Sequence, residues 1–386
     1  MDFSIFVTPL PFEKTHKYSQ VKKTIGSNVD FFHSELGEKK YKLAILGVNE
    51  SRGSTLASVK ESPDYVREQL YKLYSSSKLS IVDLGNIKQG ETLIDTLFAV
   101  SETVKELVKK EIIPIIIGGG QEITVGLYRA FEKLEQIVNL TTVDRKIDFE
   151  QVNETTNSSY LKDIILSQPN FLFNYSNLGS QSYYLNPENE KLMNKLFFDN
   201  TRLGDLQHDM AIAEPILRNT NILSFDLNSI RQSEVPGTSF ASPNGFFGNE
   251  ACQISRYAGM SDKMNVIGFF EMTPEWDLHG QTAQLVAQMI WYFIEGFGLR
   301  KNETPLSSSK NYTKYKVVLS KSDEELIFVK SNRSGRWWMK IPYPPAKKVK
   351  YERHHLVPCS YQDYQISLND EMPDLWINTY NKIKIH

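Results

Sequence analysis

Residues Ile112–Gly126 read IIPIIIGGGQEITVG: an isoleucine-rich run, three consecutive glycines, then a segment of helical character. An apolar, β-branched run of this length bounded by glycine predicts a buried strand. The glycines predict a sharp turn out of it, and the residues beyond predict a helix. Open α/β sheets place ligands and reactive groups at such turns, outside the carboxyl ends of their strands. The side chain at this break is Gln121, a weak chemical tool, so its role has to be read from what the other strand ends bring beside it.

Similar runs recur along the chain: KLAILGVNES (42–51), LSIVDLGNI (79–87), LTTVDRKID (140–148), NILSFDLNS (221–229) and NVIGFFEMTP (265–274). Continuous apolar strands separated by helical segments predict a mainly parallel sheet covered on both faces, a three-layer α/β/α core. Residues Thr92–Lys110 and Gln281–Phe297 carry apolar side chains at three- and four-residue spacing and read as helices packed by one stripe. At LRKNETPLSSSKN (299–311) the character turns polar, which predicts a linker over Lys301–Asn311. Lys314–Leu319 and Glu325–Lys330 then read as a hairpin and Arg336–Ile341 as a third strand, followed by an amphipathic last segment. The expected organisation is a core over residues 1–300 and a small antiparallel β appendage over 301–386, packed on the core or at a subunit contact.

With 386 residues and 40% apolar content, the chain has enough material for a substantial core. A net charge of −2 gives no global field to recruit nucleic acid or an anionic membrane. Two cysteines, Cys252 and Cys359, are too few for a disulfide framework or a thiolate zinc site. Pro9 and Pro11 interrupt the short apolar start, and no run approaches the ~18 residues of a membrane span. A cytoplasmic protein without membrane or nucleic-acid partners is expected.

The predicted strand ends bear Gly118-Gly119-Gly120-Gln121, Asp144-Arg145-Lys146-Ile147-Asp148, Ser224-Phe225-Asp226-Leu227-Asn228 and Phe269-Phe270-Glu271. In order and spacing these resemble the ureohydrolases (arginase, agmatinase, formimidoylglutamase), with GGGQEITVG for GGDHSITxG, VDRKID for xDAHxD, SFDLN for SFDxD and FFEMTP for the glutamate motif. RLGDLQHD and EPILRNTNILSFDLNSIRQSEVPG are most similar to the formimidoylglutamase-like branch. The resemblance covers roughly residues 40–300 and implies the arginase-like fold and assembly as a homo-oligomer. It also implies a hydrolytic centre in which two manganese ions activate a bridging hydroxide against a guanidinium or formimidoyl carbon.

Carried over by position, the six metal ligands fall on Gln121, Asp144, Lys146, Asp148, Asp226 and Asn228, so three aspartates remain and both histidines are gone. Two carboxylates about 4 Å apart repel by roughly 4 kcal/mol at an effective dielectric near 20, so counter-charge or protonation is required. The Lys146 ammonium is expected to take the place of the second metal. Two states follow for the rest: a metal-free salt-bridge cluster with Gln121 hydrogen-bonded to Asp144 or Asp148, or one Mn²⁺, Mg²⁺ or Ca²⁺ on Asp144, Asp148, Asp226 and the Gln121 amide oxygen. The metal-free state is the expected one, without cofactor.

Glu271 matches the family glutamate that pairs with the cationic end of the substrate; alternatively it salt-bridges Lys146 or an arginine. Lys146 as a base and Asn228 complete the candidate catalytic set. Asn157–Leu161 is the counterpart of the family's substrate-contacting loop, and Ser239–Phe247 is a candidate pocket wall or a structural turn. His208 and His279 are expected at the surface. In the appendage, Trp337, Trp338, Tyr343, Tyr351 and the His354-His355 pair are expected to pack. The expected function is a ureohydrolase-fold protein, weak or inactive as a hydrolase, that binds a small cationic, amidine or amino-acid ligand. The alternatives are a one-metal amidine hydrolase and a non-catalytic interaction subunit.

Overall fold

The apolar runs become the central strands of the computed structural model, which describes residues 2–37, 39–54, 62–75, 79–303, 309–320, 324–343 and 355–385. Tyr351 and His354 lie outside these residues. In chain order the strands are β1 (Val7–Thr8), β2 (Val29–Phe31), β3 (Leu43–Val48), β4 (Ile81–Ile87), β5 (Ile113–Ile117), β6 (Val138–Val143), β7 (Leu172–Ser180), β8 (Asp199–Arg202), β9 (Ile222–Asp226) and β10 (Val266–Phe270). Among the described residues they form one sheet in the order β1-β4-β3-β5-β10-β9-β6-β7-β8, with β2 also paired to β4. The β1–β4 pair is antiparallel and the other pairs are parallel.

Every residue of β3, β5, β6, β7, β9 and β10 is buried, as strands covered on both faces require. Their side chains alternate between two apolar clusters. Ile45, Ile115, Phe225 and Phe269 face the layer holding helices Ser62–Leu70, Gly248–Gly259 and Gln281–Gly298. Leu46, Ile116 and Phe270 face the layer holding Leu93–Lys109 and Thr124–Glu132. Helix Leu93–Lys109 starts where its spacing predicts, because Thr92 and Asp95 form a reciprocal cap in which each side chain accepts from the other's backbone N–H.

The polar stretch after Gly298 is tethered at its start. Glu303 is buried and accepts from the Ser331 hydroxyl at 2.7 Å, while its backbone N–H donates to Asp262. The predicted hairpin and third strand are β11 (Tyr312–Val318), β12 (Glu325–Ser331) and β13 (Trp337–Lys340). A fourth strand, β14 (Leu356–Cys359), completes a separate antiparallel sheet in the order β11-β12-β13-β14. Helices Tyr361–Leu368 and Asp374–Ile385 follow.

One buried cation fastens this sheet to the core. Arg218 donates from Nη1 to the Trp337 carbonyl at 3.0 Å and from Nη2 to the Cys359 carbonyl at 3.3 Å. Its guanidinium also lies 4.6 Å from the Trp338 ring centre, and Nε sits 3.1 Å from Glu214. Arg218→Ala is expected to loosen the appendage, removing two charge-assisted hydrogen bonds to its backbone and leaving Glu214 with one cation fewer, at a cost of about 2–3 kcal/mol. Limited proteolysis should then cut within residues 299–311 several-fold faster than in the natural chain.

Candidate functional site

The turn that follows β5 requires glycine twice. Gly118 and Gly119 have φ of +88° and +79°, and a Cβ on Gly118 would stand 2.5 Å from the Ser62 hydroxyl. The chain therefore leaves β5 abruptly and passes through a 3₁₀ turn, Gln121–Ile123, into helix Thr124–Glu132. Because β5, β10, β9 and β6 are consecutive neighbours in a parallel sheet, their carboxyl ends lie side by side. Gln121, Glu271, Asp226 and Asp144–Asp148 are thereby gathered at one edge, as the strand-end reading predicts. Glu271 holds φ of +71°, a conformation that costs a non-glycine residue and recurs at functional sites.

Fixed by its partners, the Gln121 amide nitrogen lies 3.1 Å from both Asp144 Oδ2 and Asp148 Oδ2, and its oxygen accepts from the Tyr160 hydroxyl at 3.1 Å. The side chain is thus a donor to two carboxylates. Lys146 Nζ stands 2.8 Å from Asp148 Oδ1, and the Lys146 backbone N–H donates to Asp144 Oδ1 at 3.0 Å. Asn228 donates to Asp226 Oδ1 from its backbone at 2.7 Å and from its side chain at 2.9 Å. Its own side-chain oxygen accepts from the Phe240 N–H at 2.9 Å, which brings the Ser239–Phe247 segment beside the site.

Charge follows from this burial. Asp144 is raised well above the usual carboxylate range, first by burial and then by Asp148 and Asp226 beside it. Asp226 is pushed up to about 7 by burial, although the Asn228 N–H opposes the shift. Burial acts to discharge the Lys146 ammonium, but Asp148 and Asp144 outweigh it and hold the lysine charged. Lys146 is therefore a poor proton acceptor here.

Glu271 does not form, among the described residues, the ion pair that one reading of the sequence offers. Its Oε1 accepts from the Gln121 backbone N–H at 2.7 Å and its Oε2 from the Asn157 amide at 3.1 Å. No ion pair to Lys146 or an arginine is formed among the described residues, and burial raises its pKa well above the ordinary value. The Asn157–Leu161 segment does reach the site, through Asn157 and Tyr160. His208 and His279 are exposed, as expected.

Two acids escaped notice in the sequence. Glu122 is fully buried with no side chain answering its carboxylate among the described residues, and burial pushes its pKa up to about 8 against the opposing pull of its own and the Gly53 backbone N–H. Directly after Gln121 at a helix start it reads as an ordinary first-turn acid. Glu50 is buried against Arg52, whose Nε lies 2.9 Å from Glu50 Oε1.

Beside the cluster opens a cleft of about 560 Å³ whose wall includes Lys146, Asp148, Glu150, Tyr184, Glu188 and Asn189. Lys146 and Asp148, paired at 2.8 Å, belong to both. Among the described residues no group of three or more His, Cys, Asp or Glu side chains has the arrangement of a metal cage.

The sequence profile of the arginase family matches residues 41–295, most of the core and all four strand-end motifs. The chain belongs to the arginase family. Within the family it is similar to formimidoylglutamase of Staphylococcus aureus, 22% identical over 266 residues that span 66% of this chain and 86% of that protein. The fold of this family member resembles two solved formimidoylglutamases. That of Bacillus subtilis superposes with a TM-score of 0.65 at 16% identity, covering 75% of this chain and 99% of the other. That of Trypanosoma cruzi, solved with Mn²⁺, gives 0.63 at 18% identity, covering 69% and 97%. The small antiparallel sheet lies beyond the matched segment, and no helix among the described residues is long and apolar enough to cross a membrane.

Proposed function

We propose that this arginase-family protein keeps a ligand cleft but not a two-metal hydrolytic centre, and holds a small amidine, guanidinium or amino-acid ligand without efficient hydrolysis. The reading rests above all on one observation: the Lys146 ammonium lies 2.8 Å from Asp148 Oδ1, and beside it the Gln121 amide is assigned from its partners as a donor to Asp144 and Asp148. A divalent cation needs those oxygens, and N–H donors aimed at them compete by occupying lone pairs and adding positive charge. Asn228 acts in the same sense on Asp226. Two cations do not fit this donor set. A single ion on Asp144, Asp148 and Asp226 would require Lys146 to withdraw and the Gln121 amide to turn over.

The cleft favours a cation. Asp148, Glu150 and Glu188 line it beside Lys146, with Lys191 2.8 Å from Glu188, and a planar amidinium can donate to a carboxylate through two parallel N–H groups. Lys146, held charged, guards its inner end and orients Asp148, which makes it a positioning residue in this reading. Asp144, Asp226 and Glu271 maintain the cluster beneath.

The test is metal analysis after incubation with excess Mn²⁺, paired with assays for urea, ammonia or formamide from arginine, agmatine and formimidoylglutamate. The expected result is far less than roughly one Mn²⁺ per folded chain, no turnover, and saturable binding of agmatine. Stoichiometric Mn²⁺ accompanied by turnover overturns the reading.

A further inference from the structure

The β6–β8 end of the sheet presents polar side chains on one face. Asn139 pairs in register with Asn174, Thr141 with Ser176, and Ser176 with Asp199, so all five point the same way. A parallel sheet normally offers aliphatic side chains there. Over this face the C-terminal helices form a roof, and between the two lies a cavity of about 960 Å³ that shares no wall residue with the Lys146 cleft.

The roof answers part of the polar face. Lys382, 4% exposed, donates to Asn174 Oδ1 and lies 3.6 Å from Asp199 Oδ2, so the one buried lysine of the cavity is matched by a carboxylate. Asp199 Oδ2 also accepts from the Asn174 amide at 2.8 Å. Of the other acids in the wall, Asp209 caps Ala211 and Asp363 caps its own helix through Ser360, while Glu190 and Asp374 also line the cavity. One buried acceptor stays unanswered. Asn139 is 2% exposed, its amide nitrogen is used by the Asn219 carbonyl at 2.7 Å, and its Oδ1 has no partner among the described residues. A buried acceptor without a donor carries its full desolvation cost unless something in the cavity supplies one.

We propose that this cavity is a second ligand site, for an uncharged, hydroxyl-rich molecule of about mono- or disaccharide size. Hydroxyls both donate and accept, so one molecule can donate to Asn139 Oδ1 and accept from Lys382. Amide, hydroxyl and carboxylate walls beside the rings of Phe198 and Tyr361 suit the polar rim and apolar face of such a ring. The wall sets Glu190, Asp199, Asp209, Asp363 and Asp374 against Arg202 and Lys382, which disfavours an anion, and the buried Lys382 opposes a cation beside the polar face. The volume falls within the roughly 300–1,000 Å³ of small-molecule sites.

Saturation-transfer NMR on the full chain with D-ribose, D-glucose and sucrose tests this, with acetate and putrescine as charged probes. At least one sugar is expected to show saturable transfer with Kd of about 5 mM or tighter. Asn378→Trp narrows the cavity at a position that carries none of the described side-chain hydrogen bonds, and Lys382→Met removes the buried donor. Either variant is expected to weaken sugar binding at least about tenfold, whereas Lys146→Met, in the other cleft, leaves it unchanged. The proposal is overturned if no sugar binds the natural chain saturably, if folded Asn378→Trp binds as well as the natural chain, if Lys146→Met abolishes binding, or if a charged probe binds more tightly than every sugar.

Discussion

The triple variant Gln121→His, Lys146→His, Asn228→Asp is expected to take up Mn²⁺ with a Kd near micromolar, where the natural chain binds more weakly than about 1 mM, a gain of roughly 4 kcal/mol. Each change reverses one feature of the cluster. Histidine at 121 replaces an N–H donor with an imidazole lone pair, histidine at 146 removes the ammonium from Asp148, and aspartate at 228 restores a carboxylate where an amide now donates to Asp226. Single substitutions should do little, because any one remaining donor still competes with the ion. Titration calorimetry with Mn²⁺ on variants checked by circular dichroism measures the effect. A folded triple variant with no metal affinity would show that these positions do not correspond to the family's ligands.

Arg67→Met is expected to cost about 3–5 kcal/mol of stability, as removing one partner of a fully buried ion pair does. The Arg67 and Asp83 side chains are inaccessible to solvent, with Nε 2.7 Å from Asp83 Oδ2 and Nη2 3.0 Å from Oδ1. Nη1 also donates to Asn86 Oδ1 at 2.6 Å, and the Tyr71 hydroxyl donates to Asp83. Because most of that cost is the stranded Asp83 carboxylate, Arg67→Met/Asp83→Leu should recover a large part of it. Urea unfolding of the three proteins decides, and equal losses in the single and double variants would refute the argument. The helix that carries Arg67 begins at Ser62 and Pro63, which pack against Gly118, so this pair also steadies the turn that delivers Gln121.

How much of this was legible in the sequence depends on what each side chain faces. β3, β5, β9 and β10 were readable because their apolar runs are continuous, which is what burial on both faces demands. β7 is equally buried but was not recognised, because Asn174, Ser176 and Asn177 break its apolar run. Two of those side chains look into a polar cavity whose roof comes from the last helix, a contact no local pattern announces. β8, with sequence DNTR, offers no apolar residue to read. At the site, the meeting of four strand ends was legible from parallel topology alone. The partners of Glu271 were not, since they are a backbone N–H exposed by the 3₁₀ turn and an amide on a distant loop. Gln121, with its amide assigned as a donor, spans two aspartates at one end and Tyr160 at the other.

The Lys382–Asn174 contact also orders events during synthesis. The ribosome releases the polar face of β6–β8 long before it makes the lysine that closes over it, and at roughly 5–20 residues per second the delay is on the order of ten seconds or more. An aliphatic face left open that long would invite association between nascent chains. Asparagine, serine and aspartate let the unfinished sheet stand wet until its cover arrives.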